Sequence, residues 1–171
     1  MKDQITLDRI KLLHPKVRDE AFEIHNEINE RFNGRVLYRY SQTLRSFAEQ
    51  DAIYAQGRTK VGDIVSYAKG GQSFHNYGLA TDGVLLLDKD GNGTFETIEW
   101  DFFKDSDKDG LVDMDEIDFV FKSYGWEYLI NAKGKRWDFP HRQKTFGFNV
   151  RQLLAMYDAK KFIPNTNYLL L

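Results

Sequence analysis

Apolar residues recur close to every 3.6 positions from residue 6 to about residue 32, and this period predicts helical structure. Pro15 interrupts the pattern, so we expect a short first helix and a longer second helix that begins at the proline, which suits a first helical turn. Residues 46–56 are also expected to be helical, with the cap in Ser41–Thr43 and the end at Gly57. Two further helical patterns cover 117–124 and 150–157.

Two stretches have the composition of β-strands. Residues 36–40 are β-branched and aromatic, and residues 84–87 are wholly apolar, which favours a buried strand. Glycines punctuate a loop at 58–72. We expect an extended segment at 127–130 and a tail at 165–171 that packs back on the body. The pattern predicts an α+β fold, with helices packed on a small, mainly antiparallel sheet in one domain of residues 1–171.

Composition supports a packed globular chain. The 171 residues are 42% hydrophobic and 15% aromatic, enough for a substantial core. No apolar run approaches the ~18 residues that span a bilayer. The first four residues lack the apolar core of a secretory signal, so we expect synthesis in the cytoplasm without a signal peptide. With no cysteine, a transition-metal site must use histidine and carboxylate ligands.

Charge is distributed unevenly along the chain. Residues 88–116 hold eleven Asp and Glu against three Lys, a net −8, whereas the remainder carries +6. A basic body suits an anionic polymer, but solvated surface charge explains it equally well. We expect a monomer with no nucleic-acid partner.

The acidic segment 88–116 matches the twelve-residue EF-hand pattern twice, which predicts two Ca²⁺ sites in an insertion. The predicted ligands of the first site are Asp88, Asp90, Asn92, Thr94, Glu96 and Glu99. Those of the second are Asp105, Asp107, Asp109, Leu111 (through its carbonyl), Asp113 and Glu116. Only residues 100–104 separate the loops, too few for the helices of an EF-hand pair, so tandem structural or regulatory sites are favoured over a sensor. Acidic turns without metal are the alternative.

A second kind of metal chemistry is indicated outside this insertion. Residues 73–82 place a histidine and an aspartate seven positions apart, with Gly78 between them to allow a tight reversal. Residues 137–141 supply another histidine and another aspartate. Two histidines and one aspartate can hold Zn²⁺ and leave its fourth position to water, on which the other aspartate can act. The alternative is a non-enzymatic calcium-binding module in which these residues are only structural.

The patterns SxHxxGxAxD at 73–82 and DxPH at 138–141 resemble the VanY-type D,D-carboxypeptidase and L-alanyl-D-glutamate peptidase superfamily of cell-wall metallopeptidases. The resemblance covers nearly the whole chain apart from 88–116. It is greatest to phage endolysins and related bacterial enzymes that cut the L-Ala-D-Glu bond of peptidoglycan stem peptides, some of them calcium-responsive. It extends to residues 44–50, 57–60 and 68–72.

Carried over by position, the resemblance implies that His75, Asp82 and His141 ligate zinc at the sheet's edge. It makes Asp138 the general base and Arg45 the group that stabilises the oxyanion, roles that suit both side chains. Candidate substrate contacts are Ser73, Tyr77 and Trp137, each of which can instead serve local structure. Many relatives have an aromatic residue where this chain has Arg142, which leaves the ligand set intact but alters that subsite.

The function expected from these observations is zinc-dependent hydrolysis of the L-Ala-D-Glu bond, stabilised or regulated by calcium. A D-Ala-D-Ala carboxypeptidase of the same superfamily is the alternative. The enzyme would act on the cell wall after release, or on cytoplasmic muropeptides. Only five residues separate Asp82 from Asp88, about 16 Å if extended, so Ca²⁺ at the first loop can order the strand that carries a zinc ligand.

Overall fold

An antiparallel sheet flanked by helices forms the frame of the computed structural model, which describes residues 3–171. Met1 and Lys2, part of the stretch assessed for a signal, lie outside the described residues. Within that range the helices are α1 (Gln4–Ile10), α2 (Arg18–Arg31), α3 (Phe47–Ala55), α4 (Asp113–Ser123) and α5 (Val150–Asp158). The strands are β1 (Val36–Gln42), β2 (Ala80–Leu87), β3 (Thr97–Glu99) and β4 (His141–Gln143). The predicted α+β class and antiparallel sheet are confirmed.

Strand β2 is the centre of the sheet. It pairs with β1 along one side, and its other side pairs with β4 near its beginning and with β3 near its end. The ring of Tyr38 in β1 packs across Gly83 of β2, where a Cβ would lie 2.1 Å from the tyrosine hydroxyl oxygen. Only glycine fits at such a close approach. The contact lies next to Asp82 in the sequence of β2.

Helix α2 closes one side of the core. Its residues Ala21, Ile24 and Ile28 are fully buried, at the spacing that the sequence predicted, and the helix packs on β1 and α4. Its start differs from the prediction, because Pro15 opens a separate 3₁₀ helix, Pro15–Val17, and the α-helix begins only afterwards.

The cap of α3 was predicted wrongly. Ser46 is the N-cap: its hydroxyl accepts from the backbone N–H of Glu49 at 3.2 Å, and the Glu49 carboxylate accepts from the backbone N–H of Ser46 at 2.7 Å. Residues 41–42 belong instead to β1, where Gln42 pairs with Asp82 after an irregularity in register. Small polar residues favour caps locally, but pairing with β2 extends the strand through them.

Two further segments complete the body. Helix α4 begins at Asp113, four residues before the predicted start, since acidic residues in its first turn suit the positive end of the helix dipole. The tail packs back as predicted: Leu169 is buried, and its carbonyl lies 2.8 Å from Nε2 of His14. Among the described residues, no helix is long and apolar enough to cross a membrane.

Candidate active site

Three potential metal ligands meet on one side of the sheet. Nε2 of His75, Oδ1 of Asp82 and Nδ1 of His141 lie 3.1 Å from one another in all three pairs. The residues come from a 3₁₀ helix (Phe74–Tyr77), from β2 and from β4. The sequence placed the group at the edge of the sheet. In the structure it joins the central strand β2 to β4, which lies beside it.

Local folding explains how residues seven positions apart come into contact. Gly78 ends the 3₁₀ helix with φ +68°, and a Cβ there would lie 2.7 Å from the backbone nitrogen of His14. The chain therefore reverses tightly between His75 and the start of β2. Asp82 is then directly opposite His141 in the β2–β4 pairing, which brings the distant motif to the same point.

Each imidazole is held by a hydrogen bond on its far side. Nδ1 of His75 lies 2.6 Å from the carbonyl of Thr43, and Nε2 of His141 lies 3.1 Å from Oε1 of Gln143. A proton on each of these nitrogens leaves the other ring nitrogen with a free lone pair facing the cluster, an orientation typical of metal-bound histidine. Sequence reasoning missed both partners, although Gln143 lies two residues after His141 on the same face of the strand.

The geometry of the three atoms fits Zn²⁺. Tetrahedral ligands about 2.0–2.1 Å from the ion stand about 3.3 Å apart, close to the separations here. Two imidazole nitrogens and one carboxylate oxygen form a common zinc donor set, and both histidines are buried. Without a cation or a shared proton, three lone pairs converging at this distance would repel one another.

Charges in the cluster favour an ionised aspartate. Burial alone would raise the pKa of Asp82, but the nearby His75 and His141 outweigh burial and lower the pKa. Burial likewise opposes charge on His141, but its hydrogen bond to Asp82 raises the pKa of that imidazole. A cation at the cluster would take the place of that proton and satisfy the same carboxylate.

Asp138 stands beside the cluster in a left-handed backbone conformation, with φ +56°. Burial, and then the negative charge of Asp82, raise the pKa of its carboxyl group above the ordinary value. An aspartate with a raised pKa takes up a proton more readily at neutral pH, as a general base must. Aspartate is one of the residues other than glycine that adopt a positive φ most readily.

Arg45 reaches the same place from the loop before α3. Its guanidinium donates to Oε1 of Gln50 at 2.8 Å and lies 3.5 Å from the Asp82 carboxylate. The amide of the buried Gln50 in turn donates to the carbonyl of Ala68 at 2.8 Å. Gln50 therefore fixes the guanidinium at the cleft.

The cluster opens into a cleft of about 750 Å³, a size typical of ligand sites. Arg45 and Asp138 line it together with the three potential ligands, and so do the predicted contacts Ser73 and Trp137. Ser73 also accepts from the backbone N–H of His75 at 3.3 Å, which helps to orient that residue.

Tyr77 is not among the residues that line this cleft, which favours the alternative that it serves local structure. It is buried, donates to the carbonyl of Gly71 at 2.7 Å, and packs edge-on against Phe47. Its position next to the motif reflects packing.

The comparisons with known proteins decide the family. The chain is 40% identical over 129 residues, 75% of its length, to the peptidoglycan L-alanyl-D-glutamate endopeptidase CwlK of Bacillus subtilis (strain 168), and covers 71% of that enzyme. This chain belongs to the CwlK family of peptidoglycan peptidases. No family model matches it.

In this CwlK-family chain, the first predicted calcium loop does not bring three acidic side chains together within the part that the structure describes. The Asp88 carboxylate accepts from the backbone N–H groups of Gly91 and Gly93, each at 2.8 Å. Glu99, at the twelfth position, lies on β3 and pairs with Lys104 at 2.7 Å. Calcium binding at this loop stays a prediction.

The second loop has a different geometry. Its carboxylates form two overlapping groups with ligand atoms within 4.8 Å, one of Asp105, Asp107 and Asp109, the other of Asp107, Asp113 and Glu116. All three members of the second group are buried. One carboxylate oxygen of Asp107 and one of Glu116 are buried without a hydrogen-bond partner.

Proposed function

We propose that the chain is a zinc-dependent peptidase that hydrolyses the L-Ala-D-Glu amide bond of peptidoglycan stem peptides. The observation that carries the proposal is the convergence of His75, Asp82 and His141 on the floor of a cleft whose walls hold Asp138 and Arg45. The choice of bond is supported by the activity in the name of the B. subtilis relative.

The side chains of the cleft have distinct roles in this proposal. When bound, Zn²⁺ supplies Lewis-acid polarisation and lowers the pKa of water. Asp138 removes a proton from the attacking water and delivers it to the leaving amine. Arg45, held by Gln50, donates hydrogen bonds to the negative charge that develops on the carbonyl oxygen.

Mass spectrometry of digested peptidoglycan tests the choice of bond. We expect release of peptides that begin with D-Glu, while L-Ala stays on the lactoyl group of the glycan. Release of free D-Ala alone would instead identify a D,D-carboxypeptidase. Peptidoglycan left intact by the zinc-loaded protein would contradict both activities.

We further propose that the second acidic loop binds Ca²⁺. Buried carboxylates that face one another without partners are costly, and Ca²⁺ is bound by clusters of such oxygen ligands. Glu116 supports this most strongly, because it is 3% exposed, has an unpartnered oxygen, and offers a carboxylate oxygen within 4.8 Å of those of Asp107 and Asp113.

Calcium is therefore expected to raise the melting temperature of the protein, and Glu116→Gln to remove most of that gain. The matched control is Asp115→Asn, which removes one negative charge from the adjacent, exposed position and leaves the cluster intact. Thermal unfolding with Ca²⁺ and with a calcium-selective chelator, both at saturating zinc, measures the difference. Equal gains in the two variants would contradict a site at this loop.

The gain should also depend on pH. Burial, and then the charge of Asp109, raise the pKa of Glu116 from 4.5 to about 7. Without calcium the folded protein binds a proton that the unfolded chain has lost between these values, so stability falls as pH rises through this window. Calcium requires the ionised carboxylate, so its stabilising effect should be small near pH 5 and larger near pH 8.

A further inference from the structure

Asp118 joins two arginines to helix α4. One of its carboxylate oxygens accepts from the guanidinium of Arg142 and the other from that of Arg136. The side chain of Arg142 is 2% exposed and that of Arg136 is 14% exposed, so both pairs are shielded from solvent. Shielded pairs of this kind hold their geometry more firmly than surface pairs.

Both arginines also donate to a single backbone group beside the active site. The carbonyl of Phe139 accepts from Arg142 at 2.7 Å and from Arg136 at 3.3 Å. Arg142 additionally donates to the carbonyl of His141 at 2.8 Å. These carbonyls, of Phe139 and His141, flank Pro140. They lie in the turn that runs from Asp138, the general base of the proposed function, to His141, its last zinc ligand.

This turn needs external support. Asp138 has φ +56°, a left-handed backbone conformation that residues other than glycine adopt less often and that contacts with its surroundings help to hold. The hydrogen bonds to the next peptide carbonyl, from Arg136 and Arg142, supply that support. An apolar side chain could fill the position of Arg142 without the cost of burying a charge, but it could not donate to these carbonyls.

Helix α4 carries both Asp118 and two residues of the second acidic loop. Asp113 and Glu116 of the second acidic loop lie on its first turns, and Asp118 follows within the same helix. Met114, one turn before Asp118, also contacts Arg142, with its sulfur 3.3 Å from the guanidinium. The second acidic loop and the turn from Asp138 to His141 are therefore both attached to helix α4, the loop through the chain and the turn through Arg142.

We propose that Asp118 is a positioning residue that holds the Asp138–His141 turn through Arg142 and Arg136 and ties it to the helix of the second acidic loop. The inference rests on the proposed function, since it takes Asp138 as the base.

Asp118→Asn tests the proposal by removing the charge while keeping the shape. Because small displacements of a catalytic group cost up to about 10²-fold in rate, we expect kcat on a soluble stem-peptide substrate to fall at least about 10-fold, with KM within about twofold of wild type. Zinc content should stay near wild type, because all three proposed ligand side chains are still present. Asp118→Glu, which restores the charge, should recover much of kcat.

Glu20→Gln is the matched control. Glu20 is a helix carboxylate of similar exposure that pairs with Lys144, just after β4, at 2.9 Å, and does not contact the turn. It should lower the melting temperature without a comparable loss of kcat. If Asp118→Asn does not fold, Arg136→Lys removes the weaker bond to Phe139 and should show a smaller kcat loss of the same kind.

The outcomes separate this inference from the proposed function. The positioning role alone would be overturned if the wild-type protein hydrolyses the substrate and Asp118→Asn keeps the same kcat. A kcat loss in Asp118→Asn no larger than that in Glu20→Gln would overturn it as well. A zinc-loaded wild-type protein that releases no peptide would overturn the proposed function and the positioning role together.

Discussion

Asp138→Asn is expected to lower kcat for stem-peptide hydrolysis by about 10²–10⁴-fold, the usual contribution of a positioned general base. The amide has the shape of the carboxylate but cannot take up the proton of the attacking water. Asparagine also tolerates the left-handed backbone at this position, φ +56°, so the turn should remain in place. Steady-state kinetics and zinc content of the same preparation measure the effect.

The pH profile gives this prediction a second readout. Since burial and Asp82 raise the pKa of Asp138, kcat/KM of the wild type should fall as pH decreases through that raised pKa, where the base becomes protonated. The residual activity of Asp138→Asn should lack this dependence. Asp158→Asn, at the exposed end of α5, is a control expected to keep wild-type kinetics. A variant at Asp138 with wild-type kcat would assign the base elsewhere.

His75→Ala is expected to reduce bound zinc and hydrolysis to background. It removes one of three proposed ligand atoms that stand 3.1 Å apart, and the two that remain would bind zinc weakly. The melting temperature should become insensitive to added zinc, because a metal stabilises a protein only through the folded state it binds. Metal analysis and thermal unfolding with and without zinc measure both effects.

His14→Gln is the matched histidine control for that experiment. His14 is also fully buried, but its Nε2 bonds to the carbonyl of Leu169 in the packed tail, away from the cluster. The substitution should lower stability while zinc content and kcat per folded molecule stay near wild type. Zinc retained by His75→Ala, or lost equally in both variants, would contradict the assignment of His75 as a ligand.

Much of the fold could be predicted because its signals are local. The apolar period of α2, the aromatic and β-branched residues of β1 and the apolar run of β2 each follow from a few neighbouring residues. The boundaries of elements were predicted less accurately where a local tendency competes with a long-range contact. Residues 41–42 favour a helix cap by composition, yet they pair with β2, which a local pattern cannot show.

The supports of the candidate site could not be predicted in the same way. Thr43 and Asp118 act through contacts with residues far along the chain, Thr43 on His75 and Asp118 on Arg142. Such contacts have no period and no fixed spacing. They depend on which strands become neighbours and on where a helix is placed against them.

The sequence by itself determined which side chains are available for metal chemistry. Spacing and Gly78 were enough to predict that His75 and Asp82 meet, because a seven-residue reversal is a local event. The pattern could not distinguish the two acidic loops, which match it equally well. Tertiary structure alone separated them, because Glu99 lies on a strand beside Lys104, whereas Glu116 lies on a helix packed against the core and faces other buried carboxylates. A ligand pattern specifies the order of the oxygens, but the direction in which the chain leaves the loop decides whether they converge.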